Sequence, residues 1–496
     1  MGLETVLEMS EMTIPERVIL GSQKEGLTVS DAIGRSRRVA TALRTRGVES
    51  VAYVGVNGVE LPQIAYGAIL AGVSFAPLNY RLSLAQLAEL VQQLPSPLLV
   101  ADARYASELA RLVEVEVIEP KDLIERSQVL EPLVDDPVRD DAIALILFTS
   151  GTTSKPKGVA LSHRHLSSYL FNTVEFVSAD EKDSTLISTP AYHIAGMGAL
   201  LSNFYAGRRM NYLSAFTPED WVDLVSRDGI TNVMLVPTML ARIVDHLAVN
   251  PVELSRLRTI AYGGAKMPLP LIEKALDLLP DIDFVNAYGL TETSSTIALL
   301  GPEDHREALE DPAKRVRLTS VGRPVPGVEV NIRDEFGNEV PEDTEGILWV
   351  RGPQVSGKYI NSAGGTTEDG WFITGDRARL REGYLYIEGR SDDMIIRGGE
   401  NVSPAEIEDV LHELPSVEEA AIIGLPDEEW GELICAVLVV KAGAQLSEDD
   451  VIEHCRARLR GSKTPDAVVF SEELPRTHTG KLLRRDLKAM FSGTRK

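Results

Sequence analysis

The sequence predicts an α/β protein in two parts: a large N-terminal domain of parallel-rich sheets flanked by helices, with a small β subdomain, and a small mobile α+β C-terminal domain. Three observations predict it. The 496 residues exceed what one hydrophobic core usually serves. Short apolar runs alternate with amphipathic stretches through the first three quarters of the chain, as strands joined by covering helices would. Near residue 390 the texture passes from glycine-punctuated short strands, "GYLYIEGR", to the charged "SDD" and then to a compact unit of strand and helix signals. A boundary there gives domains over 1–390 and 391–496.

In chain order, "VAYVGV" reads as a strand and "LPQIAYGAILAG" as a helix, followed by the pairs "VSFAP" with "SLAQLAELVQQL" and "PLLVAD" with "ASELARLV". The apolar stretch from Ile64 to Pro77 is shorter than the roughly 20 residues of a membrane-spanning helix, so it reads as a buried helix and strand. Thr217 before Pro218 opens a helix over "EDWVDLV". Beyond the boundary come "MIIRGG", the helix "SPAEIEDVLHEL", the strands "AAIIGL" and "ICAVLVV", and a second helix from Ser447. Ser403 before Pro404, with Glu406 three residues after Ser403, predicts a capping box.

Composition excludes several functions. Against 50 basic residues stand 74 acidic ones, a formal charge of -24, and that field repels nucleic acid and anionic membrane surfaces. The two cysteines, Cys435 and Cys455, lack ligand spacing and supply neither a disulfide framework nor a zinc site. A reducing, cytoplasmic setting is expected. "MGLETVLEMS" carries acids where a secretion signal needs a basic start, and Val6 stands where myristoylation wants a hydroxyl residue. No fixed-period repeat occurs, no transmembrane segment is expected, and the oligomeric state is open, a homodimer included.

The chemistry begins at "TSGTTSKPKG", residues 149 to 158, directly after the apolar "AIALILF". Backbone N–H groups of a glycine and hydroxyl-rich turn converge on anions, and Ser and Thr side chains add donors at little steric cost. This is not a Walker loop, because Gly151 is followed by Thr152, Thr153, Ser154, Lys155 and Pro156 instead of leading to Gly-Lys-Ser/Thr. Composition alone fits a solvated connecting loop equally well. Order decides between them. "YGLTET" from Tyr288, "GWFITGD" ending at Asp376, "GRSDDMIIRGGENVSPAEIE" from Gly389 and "PRTHTGK" ending at Lys481 follow in turn.

This ordered set resembles the motifs of the adenylate-forming superfamily, in particular its acyl-CoA synthetase branch of fatty-acid and aryl-acid CoA ligases, and the resemblance spans nearly the whole chain. It implies a Mg²⁺-requiring two-step reaction. A carboxylic acid attacks the α-phosphate of ATP, releasing pyrophosphate and giving an acyl-adenylate, and coenzyme A then displaces AMP. It also implies the roles. Thr149, Ser150, Gly151, Thr152, Thr153 and Lys157 serve the phosphates; Gly263, Gly264, Ala265, Tyr288 and Gly289 surround the adenine; Thr291 meets the α-phosphate; and Glu292 is the Mg²⁺-associated carboxylate. Asp376 and Arg390 hold the ribose, Asp392 is the hinge, Gly398 and Gly399 line the pantetheine tunnel, and His193 gates the acyl site. Lys481 is the cation delivered from the C-terminal domain to the reacting oxygens. "LVPTML" at 235 to 240 and "TSSTIAL" after Glu292 are expected to wall the acyl pocket. Ser154 stands where the family favours glycine. The "GGENVSPAEIE" segment resembles the CoA-ligase version, and a stand-alone ligase loading a carrier protein is the alternative; a non-catalytic nucleotide-binding relative is the rival from another class.

Overall fold

The computed structural model describes residues 2–134, 137–149, 156–361, 364–398, 400–427, 430–476 and 482–491. The early alternation becomes helices α1 (Val29–Arg46) and α2 (Glu60–Ala71) around a sheet of β1 (Ser50–Val54), β2 (Ser74–Pro77), β3 (Pro97–Ala101), β4 (Val117–Ile118), β5 (Ile143–Thr149) and β6 (Lys157–Ser162). Its order is β4-β3-β1-β2-β5-β6, parallel throughout except for the antiparallel β5–β6 hairpin. Helix α2 is apolar all round and buried from Leu61 to Ala71, so it sits inside the fold instead of presenting one face to water.

Helix α3 (His163–Thr173) leads into a nine-stranded sheet containing β7 (Ser184–Ile187), β8 (Arg209–Tyr212), β9 (Asn232–Leu235), β10 (Thr259–Gly263), β11 (Asp283–Leu290) and β12 (Ser295–Leu300), with α4 (Ile194–Tyr205) between β7 and β8 and α5 (Pro218–Arg227) between β8 and β9. Here β8, β7, β9, β10 and β11 are parallel neighbours and β12 runs antiparallel. Strand alternation divides the side chains: Leu235, Ile260, Tyr262 and Phe284 join Trp221 of α5 in one core, whereas Met234, Ala261, Val285 and Ala287 line a cavity beneath α3 and α4. Thr217 caps α5 as expected, accepting from Asp220 N at 3.1 Å.

A four-stranded antiparallel meander follows: β13 (Glu329–Arg333), β14 (Gly346–Arg351), β15 (Phe372–Arg381) and β16 (Tyr384–Arg390). Then β17 (Ile395–Arg397), α6 (Pro404–His412), β18 (Val417–Asp427), β19 (Gly431–Val440), α7 (Glu448–Arg456) and β20 (Ala467–Phe470) form the C-terminal sheet with its own core, in which Cys435 and Cys455 are buried and free. One expectation is corrected. Ser403 is the N-cap residue of α6 but makes no capping box, because its hydroxyl donates to Glu388 O at 2.7 Å and Glu406 instead receives Lys463 at 2.6 Å. The tertiary partners outcompete the local one. Among the described residues no helix is long and apolar enough to cross a membrane.

Candidate active site

The site assembles where the hairpin, the β11–β12 turn and the meander meet. Thr149 and Lys157 face each other across the hairpin, with Thr149 Oγ1 3.5 Å from Lys157 O. Residues 358–360 run along β6, with Ala160 N donating to Lys358 O and Ile360 N to Gly158 O, each at 2.9 Å. This brings the Tyr359 ring to 5.8 Å from Lys157 Nζ and its hydroxyl to 3.0 Å from Glu292 Oε1. Burial, then the Glu292 carboxylate, pushes the Tyr359 phenol above its usual range, so it stays a donor. Ser356 N fixes the Glu292 backbone by donating to its carbonyl at 2.8 Å.

Glu292 lies in a short 3-10 turn, Thr291–Thr293, followed by Ser294 and Ser295 at φ of 56° and 105°. Few side chains adopt such a backbone. Gly289 makes the fold-back possible, since a Cβ there would lie 1.7 Å from Ser295 O; Gly263 is held equally close to β11, 2.1 Å from Ala287 O by the same construction.

Asp376 on β15 pairs across the strands with Arg390 on β16, and Arg390 Nε lies 2.7 Å from Asp376 Oδ1. Tyr288 Oη donates to the other oxygen, Oδ2, at 2.5 Å. Asp376 is buried, and its carboxylate holds Arg390 above the usual guanidinium range although burial alone works in the opposite direction. Glu292 contributes to the same effect, so Arg390 lies in the field of both carboxylates.

Of the residues singled out in the sequence, Thr149, Lys157, Tyr288, Gly289, Thr291, Glu292, Asp376 and Arg390 converge, with Gly263, Gly264 and Ala265 at the end of the neighbouring strand. Gly398 turns a hairpin of the C-terminal sheet, its N–H donating to Trp430 O at 2.7 Å. His193 occupies the N-cap position of α4 without a side-chain cap hydrogen bond, its ring 4.4 Å from that of Tyr192, while Ile194 and Ala195 supply the cavity wall. "LVPTML" is displaced as a wall: Met234 lines the cavity, and Leu235 points into the opposite core. Ser295 and Thr296 do line it. Ser150, Gly151, Thr152, Thr153, Ser154, Gly399 and Lys481 lie outside the described residues. Tyr359 was not foreseen; a tyrosine in "GKYIN" carries no pattern that separates it from core.

Among the described residues no group of three or more His, Cys, Asp and Glu side chains forms a metal cage. Glu292 offers one carboxylate, which fits a Mg²⁺ held otherwise by nucleotide oxygens and water.

The chain matches the model of the AMP-binding enzymes over residues 8–360 and that of the AMP-binding enzyme C-terminal domain over 406–481. It is similar to a feruloyl-CoA synthase of Amycolatopsis sp, 33% identical with 94% of each chain covered. It is also similar to a fatty acid–[acyl-carrier-protein] ligase of Streptomyces coeruleorubidus, 32% identical with 94% of this chain and 92% of the other covered. The fold is similar to that of o-succinylbenzoate CoA synthetase from Bacillus subtilis in complex with its acyl-adenylate intermediate, at a TM-score of 0.85 and 29% identity over 97% of both chains. The same synthetase in complex with ATP and magnesium aligns at a TM-score of 0.83. The chain belongs to the AMP-binding enzyme family of adenylate-forming enzymes and, within it, is an acid–thiol ligase that joins a carboxylic acid to coenzyme A through ATP.

Proposed function

We propose that this chain carries out that reaction with Glu292, Tyr359, Asp376 and Arg390 as its nucleotide frame, over domains 1–390 and 391–496, with Lys481 supplied from the second. The observation that carries the reading is the linked carboxylate pair: Glu292 held by Tyr359 at 3.0 Å, and Asp376 held by Tyr288 at 2.5 Å and Arg390 at 2.7 Å. A free carboxylate is a poor acyl donor, whereas an adenylate has a good leaving group, so the protein must gather anions in one cleft and stabilise charge as it develops. Asp376 accepts from the ribose hydroxyls, with Arg390 fixing the carboxylate plane. Tyr288 sets the adenine edge of the frame. Thr149, Ser150, Thr152, Thr153 and Lys157 meet the phosphates, and Thr291 the α-phosphate. Glu292 holds Mg²⁺, which when bound neutralises phosphate charge.

Lys481 reaches the carboxylate and α-phosphate oxygens during adenylation, and rotation about Asp392 then replaces it with the tunnel edge at Gly398 and Gly399. His193 guards the acyl entrance. Lys266 Nζ on the N-terminal side lies 2.7 Å from Asp409 Oδ2 of α6, a contact such a rotation breaks. The buried free cysteines support a cytoplasmic, reducing setting.

ATP–pyrophosphate exchange over a panel of carboxylic acids tests the reading, and exchange with none of them contradicts it. The carrier-protein ligase among the relatives favours a second reading, in which the thiol belongs to a carrier. Offering CoA and a holo-carrier side by side separates the two.

A further inference from the structure

The cavity between the second sheet and α3 and α4, about 380 Å³, is longer than a small acid needs and changes character along its length. Gly264 and Gly289 stand at one end, beside the nucleotide frame. Thr185, Asn232 and Thr259, near the starts of their parallel strands, stand at the other. The strand path from Thr259 to Gly264 covers about 17 Å, so the far end lies well away from the reacting centre.

Arg208 closes that far end. It immediately precedes β8, whose Arg209 pairs with Ser184 and Met210 with Thr185, so Arg208 stands two residues beyond the level of Thr185 and Asn232, past the starts of the strands, and lines the same cavity. Asn203 holds its guanidinium, accepting from Nη1 at 2.8 Å while donating its own amide to Ala199 O at 2.7 Å. Arg208 Nε is buried without a hydrogen-bond partner. Burial pulls this arginine below the usual guanidinium range, only partly offset by Asp183, whose carboxylate lies 3.2 Å from Arg258. Asn232 Oδ1 accepts the Thr231 hydroxyl at 2.7 Å, which leaves its NH₂ as a donor on the same wall. A cavity built for a plain hydrocarbon tail would not end on a desolvated cation with an unused donor, because an apolar tail would leave that group unpaired.

We propose that the acid this enzyme activates carries a second carboxylate at its far end, and that Arg208, positioned by Asn203 and assisted by Asn232, binds it. The proposal rests on the ligase reading above and names its substrate class. The first carboxylate lies beside Gly289 and attacks ATP; the second stays unreacted, paired with Arg208, and fixes which end is activated.

The test compares ATP–pyrophosphate exchange for α,ω-dicarboxylic acids from suberic to tetradecanedioic acid, and for aryl diacids, with their monoacid counterparts of equal length. The wild-type enzyme is expected to favour one diacid over its monoacid by roughly 100-fold in kcat/KM, since a site built around a polar group rejects the analogue lacking it. Arg208→Met should reverse that preference, losing about 100-fold on the diacid and gaining on the monoacid, while Arg208→Lys retains part of it. Calorimetric titration of the preferred diacid should show binding to the wild type and none to Arg208→Met. A wild-type preference for monoacids or ω-hydroxy acids overturns the proposal alone, as does an unchanged preference in a folded Arg208→Met. Exchange with no acid at all overturns the ligase reading and this proposal with it.

Discussion

Asp376 shows how much one carboxylate can organise. Buried and bonded to both Tyr288 and Arg390, it fixes two strands and a turn before any nucleotide arrives. Asp376→Asn should raise the KM for ATP by about 10- to 100-fold, the value of losing charge-assisted hydrogen bonds, and should lower the melting temperature because Arg390 loses its closest anion. Steady-state kinetics and calorimetry check both. Tyr359→Phe leaves the ring against Lys157 but removes the Glu292 hydrogen bond; adenylation should slow by about tenfold while consumption of a supplied acyl-adenylate with CoA is unchanged. The acidic members of the site, Glu292 and Asp376, were legible because they sit in the spaced motifs "YGLTET" and "TGD", and the basic ones, Lys157 and Arg390, because they sit in "TSGTTSKPKG" and "GRSDD". Tyr359 and Arg208 were not, since their placement comes from an isolated bridge of Tyr359 to Val159 of β6 and from the depth of a cavity, neither of which leaves a local pattern.

At the scale of the element, the turn after β11 is the costly one. Gly289→Ala would set a methyl against Ser295 O in a segment that already holds Ser294 and Ser295 at positive φ, so the change should cost about 3 kcal/mol or more, or displace Glu292 and abolish adenylation. Urea unfolding and exchange assays together read either outcome. Helix α3 offers a pH test. Its capping box uses His165 as acceptor, Nδ1 receiving Ser162 N at 3.2 Å, and burial, then Lys358 and Arg164, push that imidazole down to about 4. The unfolded chain binds this proton near its ordinary pKa, so the contribution is complete above that value and is lost as the pH falls toward 4, a slope of about 1–3 kcal/mol. His165→Gln keeps an acceptor at that position and should flatten the slope between pH 7 and 5 in urea midpoints. Thr217 and Ser403 mark the limit of local reading: both precede a proline, yet only Thr217 caps its helix, because Glu388 lies within reach of the Ser403 hydroxyl.

Across the whole molecule, alternation and the change of texture near residue 390 were enough to foresee parallel sheets and a separate C-terminal core, since both follow from period and composition. How the two parts meet was not legible, for it depends on single contacts such as Lys266 with Asp409. That pair is exposed and worth at most about 1 kcal/mol, so Lys266→Ala should change the ratio of the two half-reactions by no more than about fivefold and abolish neither. The division of labour between the domains is the central claim, and Lys481→Ala tests it most directly when both half-reactions are measured on one preparation. ATP–pyrophosphate exchange should fall by at least about 100-fold, the cost of removing a charge that stabilises the transition state, while turnover of a supplied acyl-adenylate with CoA stays close to that of the wild type. Unchanged exchange, or an equal loss in both half-reactions, would contradict it.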